Sequence, residues 1–367
     1  MKKLKIIISG GGTGGHIFPA LSIAGEIKDR MPETEILFVG ALGKMEMQRV
    51  PAAGYKIVGL PVIGMPRKIS LNMIIFILKL FKSMRKAGKV IKTFRPDIVV
   101  GVGGFASGPV LKMAEKKNIP TVLQEQNSYA GVTNKLLARK VKKICVAYSG
   151  MEKYFPKEKL VLTGNPVRKQ LLDNIDKKEA LKNYGLDEEK PVLLILGGSQ
   201  GARTINESVM AHLDKIDNEG VQIIWQTGSF YYKEMMHRLE GKCPKLLKPY
   251  EFFTHMELAY KTADLVISRS GAGTISELCL LGKSSILVPS PNVAENHQTK
   301  NAMALAEKHA SIMVKDSEAI GILIPEALKL IKDREKLKIM SENSKKLAKP
   351  YAAAEIVDVI LETIKHR

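Results

Sequence analysis

Short apolar runs followed by helical patterns recur along this chain. Between the runs, apolar residues are spaced for helices of about 10 to 20 residues. Strands that alternate with such helices predict parallel, doubly wound sheets with helices on both faces. The runs with the length and composition of buried strands are Lys5–Ser9, Glu35–Val39, Ile98–Val102, Val192–Leu196, Gln222–Gln226, Leu265–Ser268 and Ser285–Val288.

The two halves of the chain open on the same plan. The strand around Ile7 runs into the glycine turn Gly10–Gly15, and the strand around Leu194 runs into Gly197–Gly201. In folds of this class, ligands bind at the carboxyl ends of the strands. We therefore predict an α/β protein of two Rossmann-like, doubly wound domains that face each other across a cleft.

The length fits two domains. A chain of 367 residues exceeds the size at which one core usually keeps growing. The prediction assigns residues 1–163 to an N-terminal domain and 164–350 to a C-terminal domain, with a helix in 351–367 that packs back on the first.

Composition favours a cytosolic enzyme. Apolar residues make up 45% of the chain, which suits a folded, soluble protein. Three cysteines lie far apart, so we expect neither disulfides nor a zinc site. The N-terminus has the basic start of a signal peptide, but its apolar run stops at Ile8, so we interpret it as a first strand.

The positive charge is concentrated in the first half. The net charge is +20, of which residues 1–163 carry +18 and the rest +2. Residues 47–96 contain eleven Lys or Arg and no acid, and residues 135–143 add five more. Such a field attracts nucleic acid or anionic lipid. Few aromatic residues are interleaved for base stacking, so we expect lipid and no nucleic acid, and a basic nucleic-acid-binding protein remains a second alternative.

The glycine turns predict anion binding. The first matches the G-x-G-x-x-G fingerprint, yet the next strand ends in Gly40-Ala41-Leu42, without the acid that would hold an adenosine ribose. This disfavours NAD. Backbone N–H groups at a helix start still bind phosphates well. The alternative is that these glycines only permit a tight turn.

Two side chains beside such turns are candidates for chemistry. His16 follows the first turn, where a neutral imidazole would act as a general base; the alternative is a packing or surface histidine. Glu277 follows a third glycine turn and would grip a ribose diol, or else complement the helix dipole as a first-turn acid. No Asp-x-Asp suits a metal between phosphates, so we expect no obligatory metal ion and no cofactor.

Motifs spread over nearly the whole chain resemble the N-acetylglucosaminyltransferase family of peptidoglycan synthesis. They are Gly11–His16, Gly103–Pro109, Glu125–Asn127, Gly164–Arg168, Gly197–Ala202, Arg269–Glu277, and His297-Gln298 before Asn301-Ala302. The resemblance implies the GT-B fold. It also implies inverting transfer of N-acetylglucosamine from UDP-GlcNAc to lipid I, giving lipid II. UDP-GlcNAc 2-epimerase, which shares the fold and donor but has no lipid partner, is the alternative.

The same resemblance implies roles on the donor side. Ser199 and Arg168 would meet the diphosphate, and Glu277 the ribose hydroxyls. Gln298, with Asn301 beside it, would bind the sugar hydroxyls. Phe253 would hold the uracil through its backbone, where the family often has an aliphatic residue. Further donor-binding positions are Ala272, Gly273, Thr274, Ile275 and Ser276.

The resemblance implies that four residues line the acceptor side of the cleft near the transferred sugar. These residues are Thr13, Gly14, Gly15 and Asn127. For the catalytic base, His16 is the first candidate and Glu125 the second.

The segment Leu71–Phe94 predicts a helix that touches a membrane. Its unbroken apolar run is far shorter than the roughly 20 residues that span a bilayer. We expect shallow contact with anionic lipid on the cytoplasmic face of the cell membrane, against the alternative of a core helix with a solvated lysine stripe. The predicted contacts are Ile74, Ile75, Phe76, Leu78, Lys79, Lys82 and Lys86. Expected partners are thus UDP-GlcNAc, lipid I, the anionic membrane surface and other cell-wall synthesis proteins.

Overall fold

The computed structural model describes residues 3–64, 71–198, 200–293 and 296–365. The chain divides into two compact units, Met1–Arg168 with Pro350–Arg367, and Lys169–Lys349. The sequence-based boundary after residue 163 lies five residues before this division.

The first unit is built on a seven-stranded parallel sheet. Its strands are β1 (Lys5–Ser9), β2 (Glu35–Ala41), β3 (Lys56–Leu60), β4 (Ile98–Gly101), β5 (Thr121–Glu125), β6 (Lys143–Val146) and β7 (Leu160–Leu162). Their order is β3-β2-β1-β4-β5-β6-β7. The chain therefore moves outward from β1 in one direction and then returns to β4 to move outward in the other. The boundary between the neighbouring strands β1 and β4 is thus a topological switch point.

The second unit repeats this topology on a six-stranded parallel sheet. Its strands are β8 (Val192–Leu196), β9 (Gln222–Gln226), β10 (Leu247–Tyr250), β11 (Leu265–Ser268), β12 (Ser285–Leu287) and β13 (Ser311–Met313). The order β10-β9-β8-β11-β12-β13 places the switch point between β8 and β11.

Helices connect the strands. In chain order they are α1 (Gly14–Arg30), α2 (Glu46–Ala52), α3 (Leu71–Phe94), α4 (Ser107–Glu115), α5 (Val132–Leu137), α6 (Lys177–Asn183), α7 (Arg203–Met210), α8 (Leu213–Asn218), α9 (Tyr232–Leu239), α10 (Met256–Thr262), α11 (Ala272–Leu281), α12 (His297–Ala306), α13 (Asp316–Leu330), α14 (Arg334–Lys346) and α15 (Ala352–Lys365).

Helices cover both faces of the first sheet. Successive side chains of a strand point to opposite faces, so neighbouring residues of one strand pack against different helices. Ile6 and Ile8 of β1 pack with residues of α1 and α15, whereas Ile7 packs in the cluster that includes residues of α3 and α4. Helix α15 belongs to the first unit: it packs on α1, and Asp358 accepts a hydrogen bond from Arg30 at 2.6 Å.

The predicted fold class, two Rossmann-like doubly wound α/β domains, is confirmed. All seven predicted strands form, and β1, β8, β9 and β11 have the predicted bounds. The sequence analysis missed six strands, namely β3, β5, β6, β7, β10 and β13. Several of these are short or carry residues that rarely form strands, such as Pro249 in β10.

Candidate active site

Glycine turns lie at the two switch points, and those after β1 and β8 are the two that were predicted to bind anions. In the first unit, one follows β1 and another follows β4; in the second unit, one follows β8 and another follows β11. Helices α1, α7 and α11, which start from three of these turns, carry no acid in their first turn. At α7 and α11 the positive end of the helix dipole is therefore not offset by an acid of that turn, which suits a phosphate ligand. At the turn before α1, the Glu46 carboxylate already accepts the Gly12 N–H.

The turns after β1 and β4 interlock. Gly11 and Gly12 have φ angles of +148° and +93°, and Gly103 and Gly104 have +87° and +82°, values that favour glycine. A Cβ on Gly104 would overlap the carbonyl oxygen of Gly11. These glycines therefore serve close backbone packing as well as tight turns.

His16 lies in the first turn of α1, over the second of these turns. Its Nδ1 is 3.2 Å from the Thr13 hydroxyl. Its ring also covers Gly103, where a Cβ would come within 2.9 Å of Nε2. The structure thus brings Thr13, Gly14, Gly15 and His16 together at one switch point, and their roles stay predictions.

Glu125, at the end of β5, is buried and bound by its own loop. Its two carboxylate oxygens accept hydrogen bonds from the backbone of Asn127 (3.1 Å) and Gly131 (2.9 Å) and from the Asn134 amide (2.9 Å). Burial raises the pKa of Glu125, and the hydrogen bonds from Gly131 and Asn127 oppose that rise. This arrangement favours a role in holding the loop that carries Asn127 over proton transfer.

Arg168 falls in the first unit, not in the C-terminal domain to which the sequence analysis assigned it. Its guanidinium carbon lies 5.1 Å from the centre of the Phe18 ring on α1, within reach of a cation–π interaction. Arg168 therefore lies near the start of α1, beside Phe18, which is two residues beyond His16.

In the second unit, Gln226 at the end of β9 connects two predicted donor-binding elements. Its amide donates to the Gly198 carbonyl at 3.0 Å, and its Oε1 accepts the Phe253 N–H at 2.9 Å. The Phe253 side chain is buried against Tyr250, with ring centres 4.9 Å apart. Ser199, predicted to meet the diphosphate, lies outside the described residues.

Glu277 lies in the second turn of α11, because the helix begins at Ala272. The dipole interpretation, which needs a first-turn acid, therefore does not fit. The carboxylate is 9% exposed and accepts a hydrogen bond from the Tyr260 hydroxyl at 3.1 Å. Among the other predicted residues of this helix, Ala272 and Ile275 are buried, whereas Gly273, Thr274 and Ser276 are half-buried.

The predicted sugar ligands Gln298 and Asn301 are both bonded within the protein. Gln298 Oε1 accepts the Ser290 N–H at 2.9 Å, while its carbonyl accepts the Ser270 hydroxyl at 2.8 Å. Asn301 is fully buried, and its amide donates to the Ser270 carbonyl at 3.3 Å. Asn301 thus supports the turn after β11, and access for a sugar is greater at Gln298, which is half-buried.

Sequence reasoning missed four residues that organise these turns. Glu46 accepts the Gly12 N–H, and Arg269 donates to the Val288 carbonyl at 3.1 Å and pairs with Asp316. Gln226 and Tyr260 act as described above. All four are buried or half-buried polar residues. Arg269 begins one of the motifs, but the motif gave no role for it, and the other three lie outside the motifs. A polar side chain placed directly after or within a buried apolar run is the available signal.

Helix α3 exposes a large apolar surface at its N-terminal half. Ile74, Ile75, Ile77, Leu78, Leu80 and Phe81 are exposed, with Leu78 at 64% and Phe81 at 68%. Phe76 and Lys79 are half-buried and Lys82 is exposed, whereas the Lys86 ammonium donates to the Gly59 carbonyl at 2.7 Å. In the described part of the chain, no helix is long and apolar enough to cross a membrane.

No group of three or more His, Cys, Asp or Glu side chains within the described ranges is arranged to hold a metal ion. The prediction that the reaction needs no metal remains a prediction.

Two Rossmann-like units with glycine turns at their switch points are the architecture of GT-B glycosyltransferases. Residues 6–146 match the Glycosyltransferase family 28 N-terminal domain, and residues 192–356 match the Glycosyltransferase family 28 C-terminal domain. The chain belongs to glycosyltransferase family 28.

Two relatives that match nearly the full chain carry the same name. The chain is 56% identical over 365 residues to the UDP-N-acetylglucosamine--N-acetylmuramyl-(pentapeptide) pyrophosphoryl-undecaprenol N-acetylglucosamine transferase of Parabacteroides distasonis, covering 99% of both chains. The protein of that name from Porphyromonas gingivalis strain W83 is 53% identical, with 99% of this chain and 97% of the relative covered. The family resemblance inferred from the motifs is therefore confirmed.

Solved structures agree. The crystal structure of Acinetobacter baumannii MurG is similar with a TM-score of 0.75 at 27% identity, covering 98% of this chain and 99% of that one. The UDP-GlcNAc 2-epimerase of Neisseria meningitidis bound to UDP-GlcNAc has a TM-score of 0.67 at 15% identity, covering 98% and 100%. The second likeness shows a shared fold alone, so the epimerase alternative is not favoured.

Proposed function

We propose that this protein transfers N-acetylglucosamine from UDP-GlcNAc to the 4-hydroxyl of the MurNAc sugar of lipid I, undecaprenyl-diphospho-MurNAc-pentapeptide, giving lipid II. The observation that carries the proposal is the 56% identity over 99% of both chains to a relative named for this transfer. The glycine turns at the switch points support it, since they suit the diphosphates of donor and acceptor.

The chemical step is a displacement with inversion at the anomeric carbon. The acceptor hydroxyl gives its proton to a base, its oxygen forms a bond to C1 of the sugar, and the bond from C1 to the diphosphate oxygen breaks, so that UDP leaves with the bonding electrons. His16 is the proposed base. Its Nδ1 lies 3.2 Å from the Thr13 hydroxyl, a contact that restricts the ring. A neutral imidazole can take a proton from an attacking hydroxyl near physiological pH.

On the donor side, Glu277 binds the ribose hydroxyls in this proposal, and Gln298 binds the sugar hydroxyls. Arg168, the amides of Gly197–Gly201 and Ser199 stabilise the negative charge that develops on the departing diphosphate. The backbone at Phe253 holds the uracil in this proposal. Without the donor, the Phe253 N–H donates to Gln226 Oε1, so uracil binding requires it to leave that acceptor and donate to the base instead.

The protein works at the cytoplasmic surface of the cell membrane in this proposal. The support is the exposed apolar surface of α3 beside exposed Lys82, Arg85 and Lys89. Apolar side chains that enter the interface while cations meet lipid phosphates bind a protein to anionic lipid without spanning it. A polyprenyl-linked acceptor resides in that same membrane.

The test is an assay of radiolabelled UDP-GlcNAc with a lipid I analogue. We expect label to move to the lipid in proportion to UDP released, with equal rates in EDTA and in Mg²⁺. Release of UDP with N-acetylmannosamine and no labelled lipid would instead support epimerase chemistry. Loss of transfer in EDTA that Mg²⁺ restores would contradict the proposal that no metal is needed.

A further inference from the structure

Glu46 is a fully buried carboxylate at the first residue of α2. Its Oε1 accepts hydrogen bonds from the N–H groups of Ala41 (2.9 Å) and Gly12 (3.1 Å). Its Oε2 accepts the same Gly12 N–H at 3.0 Å. A single side chain therefore joins the end of β2 to the glycine turn that follows β1.

The surrounding backbone leaves room for this side chain. A Cβ on Gly11 would overlap Glu46 Oε1, and a Cβ on Gly40 would come within 2.6 Å of Glu46 Cγ. Burying a carboxylate is unfavourable unless hydrogen bonds satisfy it. Two glycines make space for the Glu46 side chain, and two backbone N–H groups satisfy its carboxylate. An apolar residue would serve if the side chain only filled space, so the carboxylate itself has a role.

What Glu46 holds is the candidate acceptor-side turn. Gly12, its hydrogen-bond donor, precedes Thr13, whose hydroxyl bonds His16. Gly11, whose space it shares, is also the residue that Gly104 contacts through its backbone. A shift of the turn at Gly12 would therefore be passed to Thr13 and to the imidazole of His16.

We propose that Glu46 is a positioning residue for sugar transfer, which fixes the Gly10–Thr13 turn so that Thr13 and His16 meet the acceptor. This inference rests on the proposed function. Glu46 takes no proton from substrate, because it is fully buried and its oxygens face backbone N–H groups. A misplacement of about 1 Å can lower a rate by about 10²-fold, so the effect on turnover is large.

The variants Glu46→Ala and Glu46→Gln test this role. The glutamine keeps an Oε1 that can accept from both Ala41 and Gly12, so it should recover most of the lost rate. Glu33→Ala is the matched control, since it removes the same charge from an exposed position of the same unit. Where Glu46→Ala does not fold, Glu46→Asp, one methylene shorter, takes its place.

Two readouts separate positioning from plain stabilisation. We expect Glu46→Ala to lower kcat by about 10²-fold at a temperature well below its melting point, with the KM for UDP-GlcNAc unchanged. Hydrogen exchange should accelerate in peptides that cover Gly12 and not in those of the second unit. A kcat loss that only follows the folded fraction, or unchanged exchange at Gly12, would overturn the proposal.

The outcome also separates this inference from the function on which it rests. Absence of transfer by the unaltered protein would refute the function, whereas normal transfer by both the unaltered protein and Glu46→Ala would refute the role of Glu46 alone.

Discussion

Replacing Tyr260 by phenylalanine should weaken donor binding through Glu277 without touching the donor. The Tyr260 ring is buried, and its hydroxyl donates to Glu277 Oε2 at 3.1 Å. The bond exists before the donor arrives, so its removal affects binding only through the freedom that the carboxylate regains. Restraining such a side chain costs about 0.5 to 1.5 kcal/mol, which corresponds to roughly two- to tenfold weaker binding.

Stability should fall by more than donor affinity. A hydrogen bond to a charged group contributes about 1.5 to 3 kcal/mol, and Tyr260→Phe removes it from the folded protein. Glu277→Ala removes the proposed ribose contact itself, so it should weaken donor binding by about 1.5 to 3 kcal/mol. Tyr260→Phe should therefore lower stability more than donor affinity, whereas Glu277→Ala should weaken donor binding more than Tyr260→Phe does.

Calorimetry of UDP-GlcNAc binding to both single variants and the double variant measures the coupling. In the Glu277→Ala background, Tyr260→Phe should cause no further loss of donor affinity, because the residue through which it acts is gone. Tyr232→Phe, a half-buried tyrosine of α9 in the same unit, is the control and should bind the donor normally. Equal losses from Tyr260→Phe in both backgrounds would refute the reasoning.

Three further outcomes are expected. His16→Ala should lower kcat by about 10²- to 10⁴-fold with donor affinity intact, and a loss below about tenfold in steady-state kinetics would move the base to another residue. Replacing Lys79, Lys82 and Lys89 by glutamate should release the protein from anionic vesicles, since each cation contributes about 1 kcal/mol, and should spare turnover of a short, water-soluble acceptor. The matched change at exposed Lys233, Lys242 and Lys308 should leave vesicle flotation unaltered. Equal loss of vesicle binding in both triple variants would contradict the proposal that α3 forms the lipid-binding surface. Burial lowers the pKa of Lys283 from 10.5 to about 8. Between these two pH values the unfolded chain binds more protons than the folded protein, so the free energy of unfolding should rise with pH. Denaturant unfolding across that window should lose this rise in Lys283→Met, and an unchanged slope would show that Lys283 is not its source.

The sequence predicted the architecture because periodicity and glycine turns are local signals. Apolar runs such as Val192–Leu196 are strands whose bounds composition alone defines, and the turns after them mark the switch points. Edge strands such as Ser311–Met313 escaped prediction because three residues carry little pattern.

The support beneath the candidate site could not be predicted in the same way. Glu46 lies 34 residues from Gly12, and Tyr260 lies 17 residues from Glu277. Only the folded sheet brings these pairs together, and no spacing rule connects them. The sequence also gave no sign that Asn301 is fully buried, since a motif identifies a residue without its exposure.

The return of α15 to the first unit has a consequence for biosynthesis. The unit that contains Met1–Arg168 also needs Ile356 and Ile360, which pack in the same cluster as Ile6 and Ile8 of β1. A ribosome delivers residues 352–365 only after the whole of Lys169–Lys349 has been made. The half of the protein that emerges first is therefore completed last, and until then the α1 surface that α15 covers is open to chaperones and to misassembly.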